Sequence, residues 1–512
     1  MAVLTTMIQA LCLGFGLTSI YVVSCIFYNL FLHPLRRYPG PLLMRATRAT
    51  YCYRLARGTL PFDMLDLHQK YGDVVRIAPD ELAFADPSAW KEIFGHRTGG
   101  GAGGAPLPSF EKADTFYRPI TDRPRDIITA PGPEHAMLRR QMSHGFSDRS
   151  LREQEPVIMK YVDLFIQRLQ EQVTSPYSSG VAAEKPVNLT LWYNYCTFDI
   201  IGDLAFGEPF GCLEEGNYHP WVRTIFQMVR LGVVFQIANY FSALKSFIMA
   251  VMSTKSMTER RMEHLDMTMQ KLKRRIELGK NEPRADLMEG LLKKKDEWNY
   301  SLEQLEGNAG ILIIAGSETT ATLLSGATYL LLKNPEKMKK LTDEVRTTFQ
   351  SGEEIDLTSV NKLSYMLACL DETLRVYPPV PTGLPRIVPK GGATIAGKFV
   401  PEDTTVAIHQ WAMYHNEKNF KNPSLFHPER FLGDAEYASD RKDALQPFHI
   451  GPRNCLGRNL AYVEMRIILA RLLWSFDLVL ADDSRDWMER QKIYTLWEKG
   501  SLNVYLKPVV RD

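Results

Sequence analysis

The stretch Phe448-His-Ile-Gly-Pro-Arg-Asn-Cys-Leu-Gly457 sets one thiol, Cys455, in a turn-rich segment, with Gly451 and Pro452 before it and Gly457 behind it. An apolar-periodic run follows over roughly residues 460–474, with charges only at helical spacing. The pattern reads as loop, then helix, with the thiol at the helix N-terminus. Unpaired N–H groups and the positive end of the helix dipole lower a thiol pKa there and can hydrogen-bond a bound sulfur. A thiolate held in this way is a soft ligand suited to iron. The glycines allow the backbone to approach a flat ligand closely, which a Cβ would prevent. Arg453 offers a fork of donors to a carboxylate.

The rest of the composition limits the classes open to the chain. It has 512 residues, 45% hydrophobic and 23% charged, which is ample for a large core. With 61 basic and 59 acidic residues the net charge is +2, so there is no nucleic-acid footprint. Seven cysteines are scattered without a CxxC, which argues against a disulfide framework or a zinc ribbon and for a reducing compartment. From Met1 to Leu35 there is no Asp, Glu, Lys or Arg, and the apolar run of about residues 7–32 is long enough to cross a bilayer. Arg36, Arg37, Arg45 and Arg48 follow and place the body in the cytosol by the positive-inside rule. A cleaved signal peptide fits poorly, because the run is too long and lacks a charged n-region. Pro34, Pro39, Gly40 and Pro41 form a stiff hinge.

Three further constellations stand in the chain. Residues 307–332 read as one apolar helix interrupted by Ala315-Gly316-Ser317-Glu318-Thr319-Thr320. Polar groups in the middle of such a helix are expensive unless they serve something, and Gly316 leaves room for a ligand against the backbone. Glu372 and Arg375 lie three apart on a helix ending before Pro378-Pro379, and Pro428-Glu429-Arg430-Phe431 follows. His135 and Arg139 share a helix face after Pro131-Gly132-Pro133, so both can reach one ligand edge. Residues 73–85 read as a β-hairpin turning at Pro79-Asp80. The glycine run 99–104 formally satisfies G-x-G-x-x-G. No strand precedes it and Pro106 and Pro108 follow, so it is a loop and not a dinucleotide site.

Phe448, Gly451, Arg453, Cys455 and Gly457 together resemble the haem-binding signature of the cytochrome P-450 family. The helix motif, Glu-x-x-Arg, Pro-Glu-Arg-Phe and the cysteine signature occur in that family's order and spacing, so the resemblance runs from about Pro34 to the end. His135 in place of the family's usual tryptophan, with residues 146–155, looks most like the fungal secondary-metabolism branch (isotrichodermin-hydroxylase-like). The resemblance implies a mainly α fold with a smaller β-rich region. It implies a membrane anchor over 1–33, a Pro-rich hinge and the start of the body over 34–60, and a catalytic body over 61–512. The cofactor would be haem b, with Cys455 as axial ligand and Phe448, Gly451, Arg453 and Gly457 around it. Arg139, His135 and Arg386 would hold its propionates, and Ala315 and Gly316 would form the oxygen groove. Thr319 would hydrogen-bond dioxygen while Glu318 helps carry protons inward. Glu372, Arg375 and Arg430 would form a three-membered charge network beneath the haem.

The reaction so implied is monooxygenation: one oxygen atom from O2 enters a lipophilic small molecule such as a terpenoid, polyketide or alkaloid. The chain has no flavin or nicotinamide site of its own. The family therefore implies an NADPH-cytochrome P-450 reductase as partner, with cytochrome b5 as a second donor, at the cytosolic face of the endoplasmic-reticulum membrane. Two rival classes are a haem-thiolate isomerase or dehydratase needing no external electrons, and a non-catalytic haem sensor; Glu318 and Thr319 argue against both. Residues 100–117, 221–252, 311–315, 380–384 and 494–497 would line the substrate pocket.

Overall fold

A computed structural model describes residues 2–97, 108–117, 124–174, 185–219, 222, 232–242, 245–247, 250, 255–281, 286–295 and 297–511. The glycine run 99–104 and half of residues 221–252 lie outside the described residues. The architecture is mainly α. Helix Leu302–Lys333 runs through the centre and is buried along most of its length. Helix Leu189–Phe206, buried on almost every face, packs along it. Both bury residues on nearly every face, as a helix inside a large core does. Helices Asp148–Thr174, Ser364–Val376 and Arg458–Ser475 complete the bundle, and one hydrophobic cluster joins all five.

The strands form small sheets at the edge of this bundle. β1 (Val74–Ala78) and β2 (Glu81–Phe84) make the expected hairpin, with an irregular register between Arg76 and Ala78. Then come β3 (Glu111–Lys112), β4 (Val187–Asn188), β5 (Arg386–Ile387), β6 (Ala393–Ile395), β7 (Lys398–Val400), β8 (Thr405–Ala407), β9 (Phe476–Leu480), β10 (Lys492–Tyr494), β11 (Leu496–Glu498) and β12 (Asn503–Pro508). The largest sheet runs β1-β2-β8-β5-β3, with only the β2/β8 pair parallel. Its far edge sets Lys112 opposite Arg386, which brings two cations from distant parts of the chain to one place.

Two described helices are long and apolar enough to cross a membrane. The one at Leu302–Lys333 is mostly buried and is the core helix already described. The other, Val3–Leu32, has a mean hydropathy of 2.0 and nothing packed around its most apolar window. Its end is tied to the body: Arg76 donates to Asn29 O at 2.9 Å, and Asn29 Nδ2 donates to Ala46 O at 2.9 Å. A Cβ at Gly40 would stand 2.2 Å from Arg76 O, so the Pro/Gly segment lies tight against β1.

The central helix starts earlier than its apolar pattern, because Ser301 and Gln304 close a capping box at its N-terminus. Its polar interruption does not break it. Ser317 Oγ and Thr319 Oγ donate back to Ile313 O and Ala315 O, each at 2.6 Å, and the helix runs on.

Candidate functional site

The 3-10 turn Gly451–Arg453 carries the chain into the Cys455 loop, and helix Arg458–Ser475 begins just beyond it. Gly451 has φ +76°, and a Cβ there would stand 1.9 Å from Phe94 O, so this position admits only glycine. His449, also at positive φ, packs its ring edge-on against Trp90 and Phe94, with centroids 4.9 and 4.8 Å away. The Cys455 backbone N–H donates to Phe448 O at 2.8 Å, and the Phe448 ring lies 5.3 Å from Tyr462. Arg139 donates to Asn454 O at 2.6 Å and to Asn454 Oδ1 at 2.5 Å. The loop is thus clamped from three directions, which orients the sulfur before any ligand arrives.

The Cys455 sulfur faces a cavity walled by two helices. Thr319, Thr320, Ala315 and Gly316 come from the central helix; Leu456, Gly457, Leu460, Ala461 and Glu464 come from the thiolate helix and the turn before it. Phe448, Arg453, His135 and Arg139 line it as well. Ile311 and Leu312 line it as expected, whereas residues 380–384 and 494–497 do not. Trp497 is instead core: its Nε1 donates to Pro378 O at 2.7 Å and its ring stacks on Tyr377 at 4.3 Å.

Three expectations need correction. The helix N-terminus is not the dominant influence on the Cys455 thiol: burial pushes it up, while the Gly457 N–H, Arg139 and Arg458 draw it down. Gly316 lines the cavity, and a Cβ there would meet Ile201 Cδ1 at 2.6 Å, so the glycine also lets the two helices pack closely. Glu318 does not line the cavity. It turns away, buried, to an ion pair with Lys499, whose ammonium also donates to Thr322 Oγ1 at 2.6 Å. Burial raises its carboxyl and Lys499 pulls it back. The scaffold network has four members rather than three. Arg375 grips Glu372 with two bonds of 2.7 Å, Arg430 Nε reaches the same carboxylate at 3.0 Å, and Arg430 also pairs with buried Asp440. Two cations then face two anions, and no buried charge is left over.

The residues expected to hold the propionates differ in how their donors are placed. The Arg139 fork is spent on Asn454. Arg453 donates to Ala130 O at 2.9 Å and stands 3.6 Å from Glu111. Buried Arg386 has an Nε with no partner and lies 5.3 Å over the Phe94 ring. Lys112, within the stretch 100–117 expected at the pocket, lines the cavity with Arg139 and Arg453 from a two-residue strand that has no period of its own. Burial, with Arg386 and Arg453, draws the Lys112 ammonium down to about 7. Burial, then Arg453 and Lys112, holds His135 down to about 3, so it is a neutral imidazole. Cations crowded together with an unspent guanidinium N–H call for an anion. The paired propionates of haem fit that demand, and a soft sulfur with one open face fits its iron.

The family model for cytochrome P450 matches residues 45–504. The chain is 48% identical to cytochrome P450 monooxygenase prhB of Penicillium brasilianum, covering 97% of this chain and 98% of that protein. It is 46% identical to cytochrome P450 monooxygenase tpeC of Talaromyces stipitatus, over 95% and 93% of the two chains. Averantin hydroxylase of Dothistroma septosporum is 42% identical over 97% and 91%. With a cysteine loop, a hydroxyl-bearing helix across the cavity and family-wide matches of this extent, the chain belongs to the cytochrome P450 family and is a haem-thiolate monooxygenase.

Proposed function

We propose that this protein inserts one oxygen atom from O2 into a lipophilic small molecule of fungal secondary metabolism, with electrons from an NADPH-cytochrome P-450 reductase. Residues 1–33 anchor it in the endoplasmic-reticulum membrane, with the body in the cytosol. The observation that carries the reading is one cavity with Cys455 on one wall and Thr319 on the other, between apolar side chains such as Ile127, Ile201, Ile311, Leu312 and Leu460. When bound, a haem would supply the dioxygen chemistry, with the Cys455 sulfur tuning it.

The chain's own residues do the rest. Cys455 would ligate the iron, in a loop held by the Arg139–Asn454 hydrogen bonds. Arg453, Arg386 and Lys112 would hold the propionates. The apolar wall excludes water and holds an apolar substrate without directional bonds. Thr319 keeps its oxygen lone pairs free on the cavity side while its hydrogen rests on Ala315 O. Rotating that hydroxyl redirects its hydrogen from Ala315 O toward the cavity. Glu318 serves as a proton carrier only after leaving Lys499, so the carboxylate rests away from the chemistry. A substrate similar to averantin is one candidate, because a relative carries that name.

Membranes bearing the protein and a reductase, fed a panel of lipophilic metabolites and analysed by mass, test the reading. A product heavier by one oxygen, labelled from 18O2, is expected. The reduced protein with carbon monoxide should show the red-displaced Soret band of a thiolate ligand, and Cys455→Ala should abolish it. Product formation without reductase would favour the isomerase or dehydratase alternative. Orientation has its own check at the sequon Asn299-Tyr-Ser301, since Asn299 is exposed on a turn. Asn188 cannot serve, because it pairs with Asn503 in a sheet and accepts from Leu502 N. Asn299 should carry no glycan.

A further inference from the structure

Tyr377, Trp487 and Tyr329 stand in series between the central helix and the surface, and oxygen insertion leaves all three without a task. Gly326 lies seven residues beyond Thr319, so the two share one face of the central helix, about 10 Å apart. A Cβ at Gly326 would strike the Tyr377 ring, which therefore lies against that face. The Trp487 indole follows with its centroid 5.6 Å from Tyr377, and the Tyr329 phenol stands 5.4 Å beyond it. The three rings are buried; Tyr329, the last of them, is 2% exposed.

Core packing accounts for the rings but not for their polar ends. The Tyr377 hydroxyl donates to Gln491 Oε1, an amide oxygen that cannot hold a proton near neutral pH. The Tyr329 hydroxyl lies 2.8 Å from Arg485 O and 3.0 Å from Glu489 Oε2, and Glu489 is exposed to solvent. Burial, then Glu489, pushes the Tyr329 phenol up, so it rests neutral beside a charged carboxylate. A phenol that loses an electron must also shed its proton, and a carboxylate can take it where an amide cannot. An electron vacancy reaching these rings thus settles on Tyr329. The branch from Tyr377 through Trp497 to Trp411 ends at buried His415 and not at an exposed base.

We propose that Tyr377, Trp487 and Tyr329 form a discharge route that protects the protein when dioxygen is activated with no substrate in the cavity. Electrons pass inward along the rings one at a time, and Tyr329 becomes a phenoxyl radical whose proton rests on Glu489. A soluble thiolate then returns an electron to the phenoxyl, and Glu489 returns the proton. Two such passages deliver two electrons; with two protons from water they reduce one oxygen atom to water, while two thiolates end as one disulfide. This rests on the haem-thiolate reading.

The haem-loaded wild type, mixed with hydrogen peroxide without substrate and frozen within milliseconds, should show a tyrosyl radical by electron paramagnetic resonance. Added thiol should erase it. Tyr329→Phe should remove the signal. Glu489→Gln, which deletes the proton acceptor, and Trp487→Phe, whose ring resists oxidation, should each weaken it severalfold. Product formed from saturating substrate should stay at the wild-type rate in all three variants, whereas haem bleaching without substrate should run severalfold faster in Tyr329→Phe and Trp487→Phe. The inference is overturned if the wild type with a normal carbon monoxide band gives no tyrosyl signal, or if the signal persists in Tyr329→Phe. An undiminished signal in Glu489→Gln or Trp487→Phe, or unchanged bleaching in Tyr329→Phe, also overturns it. An absent thiolate band in the wild type would overturn the haem-thiolate reading itself, and this inference with it. Should Trp487→Phe not fold, Tyr329→Phe and the surface variant Glu489→Gln still decide.

Discussion

Gly451 shows how narrowly a single residue can be determined. Its positive φ disfavours any side chain, and the atom a Cβ would strike is a backbone oxygen that cannot rotate away. Gly451→Ala should therefore destabilise the fold by about 2–4 kcal/mol and loosen the cysteine loop. Thermal unfolding and haem retention after dilution would show both effects. Lys499 is determined by charge instead. With both partners nearly inaccessible to water, screening does not weaken its pair with Glu318. Lys499→Met leaves the carboxylate stranded and should lower stability by about 3 kcal/mol in denaturant titrations. Adding Glu318→Gln should recover most of the loss, since the charge that needed a partner is then gone.

Between elements, the closest fit on the cavity side is the central helix against helix Leu189–Phe206 at Gly316 and Ile201. Gly316→Ala forces these helices apart and should cost about 1–3 kcal/mol. Ile201→Ala in the same chain should relieve much of that, whereas alone it only opens a cavity. A double-mutant cycle on unfolding free energy measures the coupling. The four-charge network fastens helix Ser364–Val376 to the Pro428–Leu432 turn. Glu372→Gln leaves Arg375 and Arg430 facing each other with only Asp440 for balance. The expected loss is about 3–5 kcal/mol in denaturant unfolding, and an unfolding free energy within about 1 kcal/mol of wild type in Glu372→Gln would refute this account of the network.

At the scale of the molecule, acid should be the weak side. Buried His135, His409 and His415 are each held down to about 3, first of all by burial. Their unfolded values lie near 6.5. Each thus contributes stability that is present above about pH 6.5 and lost as pH falls toward 3, because the unfolded chain takes up protons that the folded one refuses. Between pH 7.5 and 5.5 each should remove about 1 kcal/mol. Denaturant unfolding at the two pH values tests this, and His409→Asn should flatten the dependence. An unfolding free energy that does not change over that range would contradict the assignment of neutral buried imidazoles.

The sequence by itself determined the cysteine loop, the central helix, the Glu-x-x-Arg helix and the apolar N-terminal run, because each is written in neighbouring residues. A glycine that needs positive φ, a carboxylate three positions from its arginine and a helix with a 3.6 period all sit within a few turns of one another. Where those elements meet was decided only by the tertiary structure. Lys112 reaches Arg386 through a strand too short to have a pattern, and Asp440 joins Arg430 from a loop. Glu318 finds Lys499 more than a hundred residues further on and turns its back on the cavity. These pairings follow from the field and the space that the packed helices create. A charge buried among apolar side chains must find a partner or give up its ionisation, and which of the two happens depends on neighbours that the chain order does not reveal.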